Sequence, residues 1–175
     1  FPLGVGISLV LGTIVNYIGA PKGDPVTLFI GVALIVVAII CNGIASGKLQ
    51  KENKAGANKG IILAVVAGTL MAFFYRFVAA AMDLDNFAAP AVGKATPYTA
   101  IVIFSIGVLI SNFVFNTFVM RKPFVGEPVS YSEYFKGNAK THLVGMLGGA
   151  IWCLGTAFSY IASGKAGAAV SYALG

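Results

Sequence analysis

Charge is what this 175-residue chain has least of: 10% of its residues are Asp, Glu, Lys or Arg, against roughly 25% in soluble domains. A water-facing globular surface cannot be covered with so few charges, so a soluble protein is excluded. Cysteine is scarce too, and Cys41 and Cys153 both fall inside apolar stretches, where a thiol reads as a small hydrophobe and not as half of a disulfide framework. The single histidine, His142, is too little for a metal site, and no cofactor is expected. Acid is missing from every apolar stretch, which excludes a proton-coupling carboxylate within them. Three enzyme signatures are absent as well: H-E-x-x-H, G-x-S-x-G and G-x-x-x-x-G-K-[ST]. The nearest approach to the last, Ala88 to Ala95, lacks the first glycine and the Mg²⁺-binding hydroxyl. An enzyme and an ATP-driven pump are therefore not expected, and the lack of a selectivity-filter sequence disfavours a channel.

What the chain has in abundance is apolar length. Hydrophobic residues make up 58% of it, and the mean hydropathy is +0.87. Five stretches approach the ~20 apolar residues that cross ~30 Å of hydrocarbon at ~1.5 Å per residue: 1–19, 26–46, 60–82, 97–120 and 142–163. A sixth begins near Gly167 and reaches Gly175 after nine residues. The expected fold class is an all-α membrane protein, a bundle of about five transmembrane helices plus a truncated sixth. Pro21, Gly23 and Pro25 punctuate the first turn, Pro90 and Pro97 the third, and Pro123 and Pro128 the fourth.

The net charge of +6 follows from topology and does not call for nucleic acid. Lys48, Lys51, Lys54 and Lys59 lie in one loop, and Arg121, Lys122, Lys136 and Lys140 in another on the same side, eight in all. The alternate loops hold Lys22, Lys94 and Lys165, only three. Positive-inside bias puts the first group in the cytoplasm. Within Pro128 to Thr141, Ser130 and Glu133 have capping-box spacing. Tyr131, Tyr134 and Phe135 suit a short helix on the cytoplasmic surface, the alternative being a solvated loop.

Phe1-Pro2-Leu3-Gly4 and Tyr172-Ala173-Leu174-Gly175 repeat an aromatic-x-Leu-Gly pattern. Each is expected to open an apolar helix, five helices apart, and an odd number reverses the direction of crossing. The chain, which has no initiator Met, is thus expected to be an internal part of a parent of about ten helices in two inverted halves. Residues 1–46 would end the first half, 47–59 would be a cytoplasmic linker, and 60–175 would be most of the second half.

Polar and small residues in the spans are the candidates for function. Gly60, Ala64, Gly68, Ala72 and Arg76 recur every four residues, a face suited to close helix crossing. Arg76 is the only ionisable side chain inside a span, roughly 9 Å below its outer end. One reading has it snorkel to the outer interface. The other turns it to a central cleft, among Phe73, Phe74, Tyr75 and Phe77, to donate to a solute. Ser105, Asn112 and Asn116 share one face, and the two amides serve either interhelical glue or solute binding. Asn16 and Asn42, nearer helix ends, read as glue or interface. Gly145, Gly148, Gly149, Trp152, Thr156, Ser159 and Ser163 lie along one side with Tyr160 beside them. Gly145 to Gly149 is a G-x-x-x-G step that admits a neighbouring backbone. Trp152, away from the interfacial belts, is either a packing residue or a stacking wall beside Thr156.

Ser111-Asn112-Phe113-Val114-Phe115-Asn116-Thr117, Ile151-Trp152-Cys153, Ile161-Ala162-Ser163-Gly164, Ser171-Tyr172-Ala173-Leu174-Gly175 and Phe1-Pro2-Leu3-Gly4-Val5-Gly6 carry a resemblance, over essentially the whole chain, to the ureide permease family. That family belongs to the drug/metabolite transporter superfamily, near the glucose/ribose and rhamnose porters. The resemblance implies ten helices in two inverted halves and uptake across the plasma membrane of small, neutral, polar solutes, with a proton or cation as a candidate coupling partner. Ureides such as allantoin, oxo-heterocycles such as uracil, or sugars are the implied classes. Some relatives carry a nucleotide-binding-like motif in a long central loop; the loop from Gly47 to Lys59 is short and has none.

The combined expectation is a secondary transporter working by alternating access, with Arg76, Tyr75, Asn112, Asn116, Trp152 and Thr156 as its solute-binding residues. The rival from another class is a non-transporting membrane scaffold or sensor subunit. An intramembrane enzyme would need a nucleophile and base pair that the spans do not offer. For orientation, cysteine at Lys54, with Cys41 and Cys153 replaced by Ala, is expected to react with an impermeant maleimide only from the cytoplasmic side. Cysteine at Lys94 should react only from outside, and the reverse pattern would overturn the assignment.

Overall fold

The computed structural model describes residues 2–49, 57–124 and 126–174, with backbone alone at 2, 46–49, 57 and 58. Phe1, Gly175 and most of the expected linker, residues 50–56, lie outside the described residues. Seven helices follow one another: α1 (Pro2–Gly19), α2 (Pro25–Leu49), α3 (Ala57–Ala81), α4 (Pro97–Arg121), α5 (Tyr131–Phe135), α6 (Ala139–Ala166) and α7 (Ala168–Leu174). No strand occurs among the described residues beyond an isolated bridge between Met82 and Ala95. Four helices are long and apolar enough to cross a membrane, over Pro25–Ala45, Lys59–Ala81, Pro97–Arg121 and Ala139–Ala166. The first expected span is held by a shorter apolar helix, Leu3–Gly19, among the described residues.

Local chemistry explains the boundaries. Asp24 accepts from the Thr27 N–H at 2.8 Å ahead of α2, and the Thr27 groups hold its carboxyl below the usual carboxylate range. Thr96 caps α4, with Pro97 supplying the fixed φ of a first helical residue. Ser130 and Glu133 close the expected capping box around α5, and Ser130 lowers the pKa of Glu133. α6 starts on Asn138 and stops at Gly167, whose φ of +83° folds the chain straight back into α7. α2 runs on to Leu49 and α3 starts at Ala57, so both helices extend into the stretch 47–59. The second aromatic-x-Leu-Gly copy also sits later than expected: Tyr172 is the fifth residue of α7, one turn in.

Packing centres on α1 and α3. A Cβ on Gly68 would lie 2.5 Å from the Gly4 carbonyl oxygen, and one on Gly4 3.2 Å from that of Ala64. The backbones of α1 and α3 therefore meet directly, as the stripe of small residues predicts. Ala72 is fully buried on the same stripe, whereas Gly60 has no neighbour within 4 Å. α2 returns along α1, with Tyr17 edge-on to Phe29 at 5.7 Å and Gly6 against Ile39. α4 packs on α6, and α7 fits between α1, α3 and α6. The buried core is Tyr75, Ala79, Met82, Ala100, Tyr160, Ala168 and Tyr172.

The ends of α1, α3 and α6 gather on one side. Lys22, after α1, donates to the Gly164 carbonyl of α6 at 2.5 Å, and Gly164 packs against the Leu84 carbonyl. Lys94 donates to the Ala80 carbonyl at the end of α3. Both ammonium groups therefore sit at the negative end of a helix dipole. Between α3 and α4, Asp83 accepts from the N–H groups of Ala91, Asn86 and Asp85, which holds its carboxyl below the ordinary range.

The contact between α1 and α3 is tested by Gly68→Leu, expected to lower stability by about 1–3 kcal/mol through overpacking and to appear as a reduced Tm. Gly148→Leu, where no atom lies within 4 Å, should leave Tm unchanged. Equal effects would contradict the crossing.

Candidate functional site

α1, α3, α6 and α7 line an open cavity of about 510 Å³. One wall is Gly4, Ser8, Leu9, Ala64, Gly68 and Met71, small or apolar residues flanking the α1–α3 crossing. The opposite wall is Trp152 and Thr156 of α6. Phe74, Tyr75, Tyr160 and Tyr172 close it on the side towards the gathered helix ends. Among the described residues, no Asp, Glu, Lys, Arg or His lines it.

The closing layer is a set of interlocked rings. Tyr75 stands 5.6 Å from Tyr160 and 5.5 Å from Tyr172, centroid to centroid. Phe74 stacks on Phe104 at 5.6 Å, and Phe104 carries the contact on to Trp152 at 6.0 Å. Such pairs are worth about 0.5–1.5 kcal/mol each beyond area burial. The phenol of Tyr172 reaches the carbonyls of Ser8 and Met71, both at 3.1 Å, and pairs with the Ser8 hydroxyl at 2.5 Å. Tyr75 donates to the Ser159 carbonyl at 3.2 Å, and Ser159 Oγ to the Ser171 carbonyl at 2.8 Å. Thr156 Oγ1 donates to the Trp152 carbonyl at 2.9 Å. These hydroxyl protons are committed within the protein, so towards the cavity the oxygens offer lone pairs.

Of the six predicted solute-binding residues, the structure brings three together: Tyr75, Trp152 and Thr156 line the cavity. Trp152 is half exposed, whereas Tyr75 is buried. Arg76 is not with them. Its guanidinium lies over Gly19, the last residue of α1, which places its positive charge at the negative end of that helix. Asn112 and Asn116 stand on an exposed face of α4 and bond to each other, Asn116 Nδ2 donating to Asn112 Oδ1. One turn of helix separates them, so one amide bonds to the other and neither lines the cavity. Gly145, Gly148 and Gly149 have no neighbour within 4 Å among the described residues, so the G-x-x-x-G step admits no backbone there.

The contribution of α1 escaped the sequence reading. Gly4, Ser8, Gly12 and Asn16 recur every four residues, the same signal that marks α3. Ser8 lines the cavity, Gly12 receives the Tyr172 ring, and Asn16 is fully buried, donating to the Gly12 carbonyl at 2.8 Å. Tyr160 and Tyr172 also join the site, the latter from the repeated motif. Among the described residues no group of three or more His, Cys, Asp or Glu could hold a metal.

Two tyrosines of the layer separate bonding from burial. Tyr172→Phe leaves the Ser8 hydroxyl without its phenol partner and is expected to cost about 1–3 kcal/mol, lowering Tm by several degrees. Tyr160→Phe removes a buried hydroxyl that has no partner among the described residues and should leave Tm the same or higher; equal losses would contradict the bonding scheme. No protein-family model, no curated protein and no solved structure matches the chain, so its functional reading rests on residues and geometry.

Proposed function

We propose that the chain is part of a secondary transporter that carries small, neutral, polar solutes by alternating access through the cavity between α1, α3 and α6. The observation that carries this reading is the convergence of Tyr75, Trp152 and Thr156 on a cavity that no charged side chain lines among the described residues. Such a lining penalises a net charge by desolvation and accepts an uncharged solute. Flat solutes such as uracil or allantoin would lie against the indole of Trp152 and present N–H groups to hydroxyl lone pairs. The volume falls within the ~300–1,000 Å³ of ligand sites and leaves room for bridging waters. A sugar of the glucose, ribose or rhamnose type is the alternative solute.

The reading extends to a plasma-membrane, multi-pass protein of about ten helices in two inverted halves. It is supported by α7 packing on α1, so that one copy of the aromatic-x-Leu-Gly pattern lies against the helix that opens with the other. By positive-inside bias the gathered ends of α1, α3 and α6 face outward. Lys22, Leu84 and Gly164 meet there, so the arrangement is closed on the outside.

A scaffold reading draws on the outward-facing Asn112 and Asn116 and on the open face of Gly145, Gly148 and Gly149, all suited to helix association. The readings part at Trp152, the chain's single tryptophan. For a transporter, uracil or allantoin should change its fluorescence in a saturable way. Trp152→Ala should weaken solute binding about 2- to 10-fold, as loss of one stacking contact of about 0.5–1.5 kcal/mol requires. A flat titration with every solute would favour the scaffold.

A further inference from the structure

Where α6 folds back into α7 at Gly167, four hydroxyl side chains come together below the turn. Ser159 and Ser163 are on the last two turns of α6, Ser171 is on α7, and Tyr75 enters from α3. All four are buried, with exposures of 8%, 1%, 4% and 2%. Ser159 Oγ lies 2.8 Å from the Ser171 carbonyl and 3.4 Å from the Tyr75 phenol, which is 3.2 Å from the Ser159 carbonyl. Ser163 Oγ donates to the Tyr160 carbonyl at 2.7 Å, and the Ser163 and Ser171 hydroxyls neighbour the Tyr75 phenol. Among the described residues Ser171 Oγ has no partner at hydrogen-bond geometry.

This cluster is built of oxygen. Its hydroxyls and carbonyls carry more lone pairs than protons, and no side-chain N–H enters it. It also lies at the carbonyl end of α6, the negative end of the dipole, at a helix break of the sort that transporters use to hold ions. Lys22 takes the Gly164 carbonyl, and the Gly167 N–H takes that of Ser163. Without a carboxylate the set is too weak for Mg²⁺ or Ca²⁺, and oxygen-only ligands point away from transition metals. The close spacing of the oxygens favours a small alkali ion over a larger one.

We infer that Tyr75, Ser159, Ser163 and Ser171, with the carbonyls of Ser159 and Ser171, form a sodium site beside the solute cavity. Tyr75 and Ser159 line the cavity as well, so an ion held there sets the position of the wall a solute touches. Coupling of sodium to solute rests on the transport reading; sodium binding itself does not.

The test is thermal unfolding of the purified full chain in NaCl, KCl and choline chloride at one ionic strength. A sodium-specific rise in Tm that saturates with concentration is expected, together with its loss in Ser171→Ala. That substitution removes no protein hydrogen bond, so its basal Tm should match the parent in KCl. Identical Tm values in the three salts, or an undiminished sodium response in Ser171→Ala, would overturn the site. Sodium stabilisation without any solute uptake by proteoliposomes would leave the site standing and remove the transport reading. Uptake without a sodium response would do the reverse.

Discussion

One phenol joins the pieces of this bundle. The ring of Tyr172 lies where a side chain at Gly12 would have to be, and its hydroxyl meets Ser8 of α1 and the Met71 carbonyl of α3. α7, Ala168–Leu174, follows directly on the end of α6. Its place depends on that insertion, on the sharp reversal at Gly167 and on the Ser159 bond to its backbone. The ring could not enter beside any larger residue at Gly12, and without it the aromatic layer of Phe74, Tyr75 and Tyr160 would lose its partner from the far side. Cavity and layer both follow from a missing side chain.

Charge is kept out of the middle by being given work at the ends. Lys22 and Lys94 cover the terminal carbonyls of α6 and α3, and Arg76 lies over the end of α1. Each arrangement pairs a cation with the negative end of a helix dipole. Asp83 ties its own loop together through three backbone N–H groups. What remains between the helices is a space that, among the described residues, is lined mainly by apolar side chains, with the indole of Trp152 and a few hydroxyl groups, and by no charged one. That suits a solute whose polarity lies in carbonyl and N–H groups and not in net charge.

The helices themselves were legible, because apolar length and proline or glycine punctuation are local properties of the chain. So were the capping box at Ser130 and the close crossing at Ala64, Gly68 and Ala72. Periodicity names a face of a helix, however, and not the neighbour that covers it. Asn112 and Asn116 share a face as expected, yet neither lines the cavity, and the Asn116 amide donates to that of Asn112. The depth of Arg76 was readable from its position in α3, but a long flexible side chain leaves its direction open, and the carbonyl end of α1 decided it. Ser8 went unnoticed because its stripe in α1 is diluted by large apolar residues, although its four-residue spacing matches that of α3.

The central claim is that a neutral solute crosses the membrane by way of the cavity faced by Trp152. It is tested most directly by uptake of labelled allantoin into proteoliposomes holding the protein, with uracil, glucose and rhamnose as competitors. The account predicts saturable uptake that uracil suppresses and that Trp152→Ala diminishes. Absence of uptake for every solute, or uptake indifferent to Trp152→Ala, would contradict it.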